Sequence, residues 1–201
     1  MNAARLARAA GKDRAANYLQ RPSLPRPGVT YDMMVNLRKL REATVLEHME
    51  AENAHDFARC IAAFSHPRYE IVATGEIWDG LSGVNALLNE NKRGFPDFRF
   101  DTEAMHHGDN AVIVEGRFIG THYGTWRGLP ATGRKVDFPL IIVFQFEEER
   151  LVCERTYFDI GTPLRQLGVA RDPNSRSGRI AIALNHPLVV GKAMISSLFR
   201  R

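Results

Sequence analysis

A chain of 201 residues, 44% hydrophobic and 25% charged, suits one folded domain with appendages and excludes wholesale disorder, collagen-like repeats and a disulfide-built miniprotein. Two cysteines, Cys60 and Cys153, without a CxxC spacing, give neither a disulfide framework nor a zinc ribbon and point to a reduced, cytoplasmic setting. The formal charge of +4 raises nucleic acid as a partner, but no finger, P-loop or aromatic RNA-binding motif accompanies it, so none is expected.

Residues 1–30 carry six basic side chains against Asp13, a net +5. MNAARLARAAGKDRAANYLQ has helix-forming composition and an Arg-rich, acid-poor look. The prolines of RPSLPRPGV then predict an extended linker. From Tyr31, Met34, Leu37, Leu40, Val45 and Met49 recur at helical spacing and predict a helix to about Glu52. Asn53 reads as the cap of a second helix, Ala54–Phe64, closed by His66-Pro67. Tyr69–Thr74 reads as a short strand, Trp78-Asp79-Gly80 as a turn, and Ser82 as the cap of a third helix to about Lys92. Beyond Phe98 the period becomes two: strands are predicted at Phe98–His106, Ala111–Tyr123, Val136–Phe146 and Arg150–Ile160, with a turn at 107–110 and another at 147–149. Pro163 and Gly168 bracket a short helix, Thr162–Leu167.

Helices followed by a meander of long apolar strands predict an α+β fold, a curved antiparallel sheet wrapped on the N-terminal helices with an apolar pocket between them. The folded domain is read as residues 31–170, flanked by the basic extensions 1–30 and 171–201. The latter again carries six basic residues against Asp172, a net +5, which leaves −6 for residues 31–170. It is apolar at Ile180, Ile182, Leu184, Leu188, Val189, Val190, Met194, Ile195, Leu198 and Phe199, and Asn185-His186-Pro187 should split it into a short piece and a helix from Pro187. Such a surface should be covered. Packing on the acidic domain or in a homodimer is preferred to contact with an anionic membrane.

The segments FPDFRF (Phe95–Phe100), VEGRFIGTHYGTWRGLPATGRKVDFP (Val114–Pro139) and RLVCERTYFDIGTPLRQLG (Arg150–Gly168) resemble SnoaL-like polyketide cyclases, also called ester cyclases, of the nuclear transport factor 2-like superfamily. The resemblance spans about Val35 to Val169 and implies a cone of curved sheet closed by helices around an apolar cavity. Members include cyclases, isomerases, dehydratases, hydrolases and plain ligand binders, so the fold leaves the chemistry open. The expected activity is cofactor-independent acid/base chemistry (cyclisation, isomerisation or hydration) on a small apolar organic molecule. The alternative is a noncatalytic ligand-binding or dimerisation module. Glu154 stands where many SnoaL-like sequences have His, and Thr156 near a position where cyclases often have Asp.

Counting back from the turn at Glu147–Arg150, with Phe146 opposite Leu151, puts Arg155, Tyr157 and Asp159 on one face with Phe138, Leu140, Ile142 and Phe144. Glu154, Thr156 and Phe158 then share the other face with Ile141 and Val143, and a slip of one residue would exchange the two. Four residues are candidates for catalysis: Asp159 or Glu154 as a base raised by apolar surroundings, His122 between Gly120 and Gly124 as proton partner with Asp137 orienting it, and Tyr157 as donor to an oxyanion. Each also has a structural reading. Asp159 could start a helix, Glu154 could pair with Arg117, and His122 and Tyr157 could be packing residues. Trp78, Phe95, Tyr123 and Trp126 are candidate aromatic walls and Arg155 a candidate substrate contact. His48 and His55 show no metal spacing to a third ligand, and His106-His107 reads as an exposed turn; neither metal nor cofactor is expected. A pocket of about 300 Å³ or more lined by one of these carboxylates would separate enzyme from module.

Overall fold

The computed structural model describes residues 30–199, so the reading of 1–29 as helix and linker lies outside the described residues. The chain divides after Leu40 into two units. Of the first, the described part is Thr30 and the opening turns of α1 (Tyr31–Asn53), where Tyr31, Met33 and Leu40 are exposed.

The second unit holds the rest of α1, α2 (Phe57–Ala62), β1 (Arg68–Ile71), β2 (Glu76–Asp79), α3 (Gly80–Gly94), β3 (Arg99–His107), β4 (Ala111–Thr121), β5 (Lys135–Glu147), β6 (Arg150–Tyr157), α4 (Gly161–Gln166), α5 (Arg176–Asn185) and α6 (Pro187–Leu198). The strands form one six-stranded sheet in the order β2-β1-β6-β5-β4-β3. It is antiparallel except where β1 runs parallel to β6. This is the α+β architecture expected, a curved sheet that does not close, with helices against it. Three local expectations shift. Asp56, not Asn53, caps α2 by accepting from Arg59 N. Trp78-Asp79 belongs to strand β2 rather than a turn, and α3 starts after Asp79, two residues before Ser82.

Alternation on β5 buries Phe138, Leu140, Ile142, Phe144 and Phe146, and that on β4 buries Val112, Val114 and Phe118. Val84, Leu87 and Leu88 of α3 complete an apolar stripe at helical spacing. The buried stripe of α1 is different. Arg41, Val45, His48, Met49 and Glu52 follow the 3.6-residue period, and three of these five are polar. Arg41 stays charged and satisfied by donating to Glu148 O (2.7 Å) and Asp109 O (2.8 Å), pinning two hairpin turns, with its guanidinium over the Phe146 ring.

The register of β5 with β6 changes the site. Phe146 does pair with Leu151, but Gln145 pairs with Cys153, so Val152 is an inserted bulge residue. Every later pairing moves by one: Phe144 faces Glu154, Ile142 faces Thr156 and Ile141 faces Tyr157. The expected faces are therefore exchanged. Glu154 and Thr156 enter the core, and Arg155 and Tyr157 turn away from it.

Candidate functional site

Between α3, the aromatic face of the sheet and β6 lies a cavity of about 60 Å³, set in about 620 Å³ of empty space counted out to its mouth. Enclosed volume falls short of the 300 Å³ set above; it holds a few waters or part of a small organic molecule as it stands. Its walls are overwhelmingly apolar. Phe95, Phe100, Phe118, Phe138 and Phe158 contribute an aromatic chain in which successive rings sit 5.2–5.5 Å apart at Phe95–Phe118 (5.5), Phe118–Phe138 (5.2) and Phe138–Phe158 (5.3). Trp126 covers one side. It can do so because Gly94 has no side chain: a Cβ there would stand 2.7 Å from Trp126 Cβ. Its indole N–H donates to Asn91 Oδ1 (3.3 Å).

Polar atoms reach the cavity in two groups. Glu154, Thr156 and Tyr69 form the buried one, at 2%, 7% and 2% exposure; Asn91 and Arg127 form the half-exposed one. Thr156 Oγ1 donates to Glu154 Oε1 (3.2 Å), and Glu154 Oε2 lies 3.1 Å from His48 Nε2. Behind Glu154 and Tyr69 stand His48, Glu52 and Cys60, all buried. His48 Nδ1 donates to Cys60 O (3.0 Å), because a carbonyl can only accept. Its Nε2 is then left facing Glu154, the Tyr69 hydroxyl (3.2 Å) and, at 3.7 Å, Glu52.

Electrostatics assign the protons of this cluster. Burial works against charge on His48, but the hydrogen bonds it makes to Cys60 and Glu154 outweigh it and hold the imidazole well above its ordinary range. Burial and the Glu154 carboxylate push Glu52 up to about 8, with His48 pulling the other way. Burial, then the Glu154 and Glu52 charges, keep the Tyr69 phenol protonated far above its ordinary value. Near neutrality the cluster therefore holds a His48 imidazolium against the Glu154 carboxylate, a neutral Glu52 and a neutral Tyr69. Two carboxyls, one imidazole and two protons leave no net charge in the core.

His48, Glu52 and Cys60 also bring three potential metal-ligating atoms within 4.8 Å of one another. That overturns the reading of His48 as lacking a third ligand. The signal was the i,i+4 spacing of His48 and Glu52 on one helix face; Cys60 reaches them only through the turn between α1 and α2.

The other sequence candidates are placed elsewhere. Asp159 is a correction: it lies at the surface, accepting from Gly161 N (2.9 Å), Thr162 Oγ1 (2.7 Å) and Arg165 (2.9 Å), which lower rather than raise its pKa. It starts α4. His122 is fully buried but is not among the cavity walls. Thr132 N donates to its Nδ1 (3.3 Å), so the proton sits on Nε2, which has no partner among the described residues, and burial lowers its pKa. Asp137 does not orient it, being held by Arg117 at 2.6 Å. That same pair removes Arg117 as a partner for Glu154. Tyr157 and Arg155 sit on the outer face, Arg155 bound to Glu70 at 2.6 Å. Of the aromatic candidates Phe95 and Trp126 line the cavity; Trp78 does not, and Tyr123 is 65% exposed. Glu154 alone of the four catalytic candidates reaches the cavity. Tyr69, His48 and Glu52 were missed.

Residues 43–167 match the SnoaL-like polyketide cyclase family. Among solved structures, a candidate polyketide cyclase from Xanthomonas campestris pv. campestris superposes with a TM-score of 0.60 at 17% identity, over 65% of this chain and 98% of its own. A candidate hydroxylase, AclR from Streptomyces galilaeus, gives 0.57 at 21% identity, over 69% and 89%. A hypothetical protein with a ketosteroid isomerase-like fold from Catenulispora acidiphila, solved in complex with trimethylamine, gives 0.53 at 14% identity, over 63% and 92%. These likenesses bear on the fold. No curated protein sequence matches this chain at a significant level. The family match covers well over half of the chain, in the same segment that forms the sheet and cavity, and on that ground the chain belongs to the SnoaL-like polyketide cyclase family.

Proposed function

We propose that this protein is an enzyme performing cofactor-independent acid/base chemistry on a small, largely apolar organic molecule, with Glu154 as its general base. The observation that carries the reading is a carboxylate at the inner end of an aromatic cavity, oriented by Thr156 and by the His48 imidazolium. A substrate with its reacting C–H against Glu154 would lose a proton to that carboxylate. The Tyr69 hydroxyl, at the same end and never ionised near neutrality, donates to the oxyanion that forms. His48 shares its Nε2 proton with Glu154 and so adjusts the strength of the base. Phe95, Phe118, Trp126 and Phe138 exclude water and position the apolar body. Arg127 and Asn91, at the half-exposed end, suit a carbonyl or carboxylate on the far side of the ligand. Enolisation followed by cyclisation or isomerisation needs no more than these groups.

The test begins with mass spectrometry of small molecules that co-purify with the full chain. Exchange of the identified molecule's C–H protons in D₂O is then followed by NMR. Glu154→Gln should slow exchange about a hundredfold or more with binding retained; unchanged exchange would refute Glu154 as base. A second reading, a noncatalytic binding module, is favoured by one observation, the tightness of the enclosed cavity. It predicts binding without exchange.

A further inference from the structure

We infer that the α5–α6 hairpin is a docking surface for an anionic lipid bilayer, on which it lies without crossing. The two helices meet at His186 with a bend of 106° and no residue of α6 is buried. Leu184, Leu188 and Leu198 are 74%, 86% and 75% exposed, and Phe199 84%. Expected cover by the folded body is thus not found: the described chain leaves this apolar surface in water, where it is costly.

The charge on the segment selects the partner. Residues 173–201 contain no Asp or Glu, but include Arg176, Arg179, Lys192, Arg200 and Arg201. Arg176 and Arg179 occupy the first turn of α5 with no acidic residue there, opposing the helix dipole. Arg179 also donates to Asn174 O (3.0 Å), and Ser175 caps the helix by accepting from Gly178 N. On α6, with about 3.6 residues per turn, Leu188, Met194, Ile195 and Leu198 gather on one side with Lys192 at its margin, while Ser196 and Ser197 share the other side with Val189, Val190 and Ala193. Apolar side chains bordered by cations match an anionic interface. An isologous dimer through the hairpin would instead bring two such cationic segments together, against their mutual repulsion. Among the described residues no single helix is long and apolar enough to cross a bilayer, and the pair that passes on composition is sharply bent.

The full chain is to be tested by co-sedimentation with vesicles of phosphatidylcholine alone and of equal parts phosphatidylcholine and phosphatidylglycerol. Binding to the anionic vesicles is expected, weakening as salt rises from about 0.05 to about 0.5 M. Near an anionic leaflet each cation gains about fivefold in affinity, so R176Q/R179Q/K192Q should weaken binding on the order of a hundredfold. Leu188→Ser with Ile195→Ser should weaken it as well, and since both side chains are exposed, the thermal unfolding of these variants should match that of the parent. Equal binding to the two vesicle types would overturn the proposal. So would an absence of vesicle binding, whether the chain is monomeric or forms a dimer that the Leu188/Ile195 variant dissociates.

Discussion

Glu52→Gln tests whether the buried cluster carries the protons assigned to it. Folding raises the Glu52 carboxyl from 4.5 to about 8, chiefly by burial and then by the Glu154 charge. Between those values the folded chain keeps a proton that the unfolded chain has released, so stability falls as pH rises. The displacement is about 3.5 pH units, and at ~1.4 kcal/mol per unit the loss has a ceiling of about 5 kcal/mol. His48 acts in the same direction. Its pKa is raised, so its contribution is complete below the unfolded imidazole value and is lost as pH climbs through the folded one. Glutamine keeps the shape of the protonated acid and cannot ionise. In urea unfolding at pH 5, 7 and 9, the parent should lose several kcal/mol across the series and the variant markedly less. The variant should be the more stable of the two at pH 9. Parallel stability curves for parent and variant, at equal m-values, would refute the assignment of a proton to Glu52.

Glu154→Gln leaves His48 without its carboxylate partner, so the imidazole pKa should drop, read as an upfield-to-downfield His titration midpoint at lower pH by NMR; an unmoved midpoint would break the proposed pair. Asp159→Asn, at the exposed start of α4, should lower the melting temperature slightly and leave ligand binding unchanged, whereas equal loss of both would restore it to the site. Phe118→Ala, removing a 7%-exposed ring that touches Phe95, Phe98, Phe100 and Phe138, should cost about 3–5 kcal/mol and enlarge the cavity, checked by urea unfolding and ligand uptake. Because two protons suffice to neutralise His48, Glu52 and Glu154, exhaustive chelation should leave the melting temperature unmoved; stoichiometric zinc or iron bound at His48, Glu52 and Cys60 would refute that assignment.

How far the site was legible from the sequence turns on two local devices. The sheet strands were legible because β4 and β5 alternate nearly without exception, a period that only a half-buried strand repays. Which face of β6 enters the core was not, because one extra residue, Val152, sits between correct pairing at Phe146–Leu151 and shifted pairing at Gln145–Cys153. No pattern of hydrophobicity marks it: Leu151, Val152 and Cys153 are all apolar, and a bulge among them exchanges Tyr157 for Thr156 and Arg155 for Glu154 without changing composition. The second device is the polar stripe of α1. Apolar spacing marks the helix through Met34 and Leu40, yet both are exposed, and the buried stripe runs instead through Arg41, Val45, His48 and Glu52. Those polar side chains are tolerable in the core because Arg41 and His48 find partners from distant elements, the β3–β4 and β5–β6 turns for Arg41 and the Cys60 carbonyl and Glu154 for His48, while Glu52 keeps its proton. The inward turn of Glu154 and the inward stripe of α1 require one another. Had Val152 not bulged, Glu154 would face outward and His48 would lie buried without its carboxylate, so the bulge that hid the site from the sequence is also what builds it.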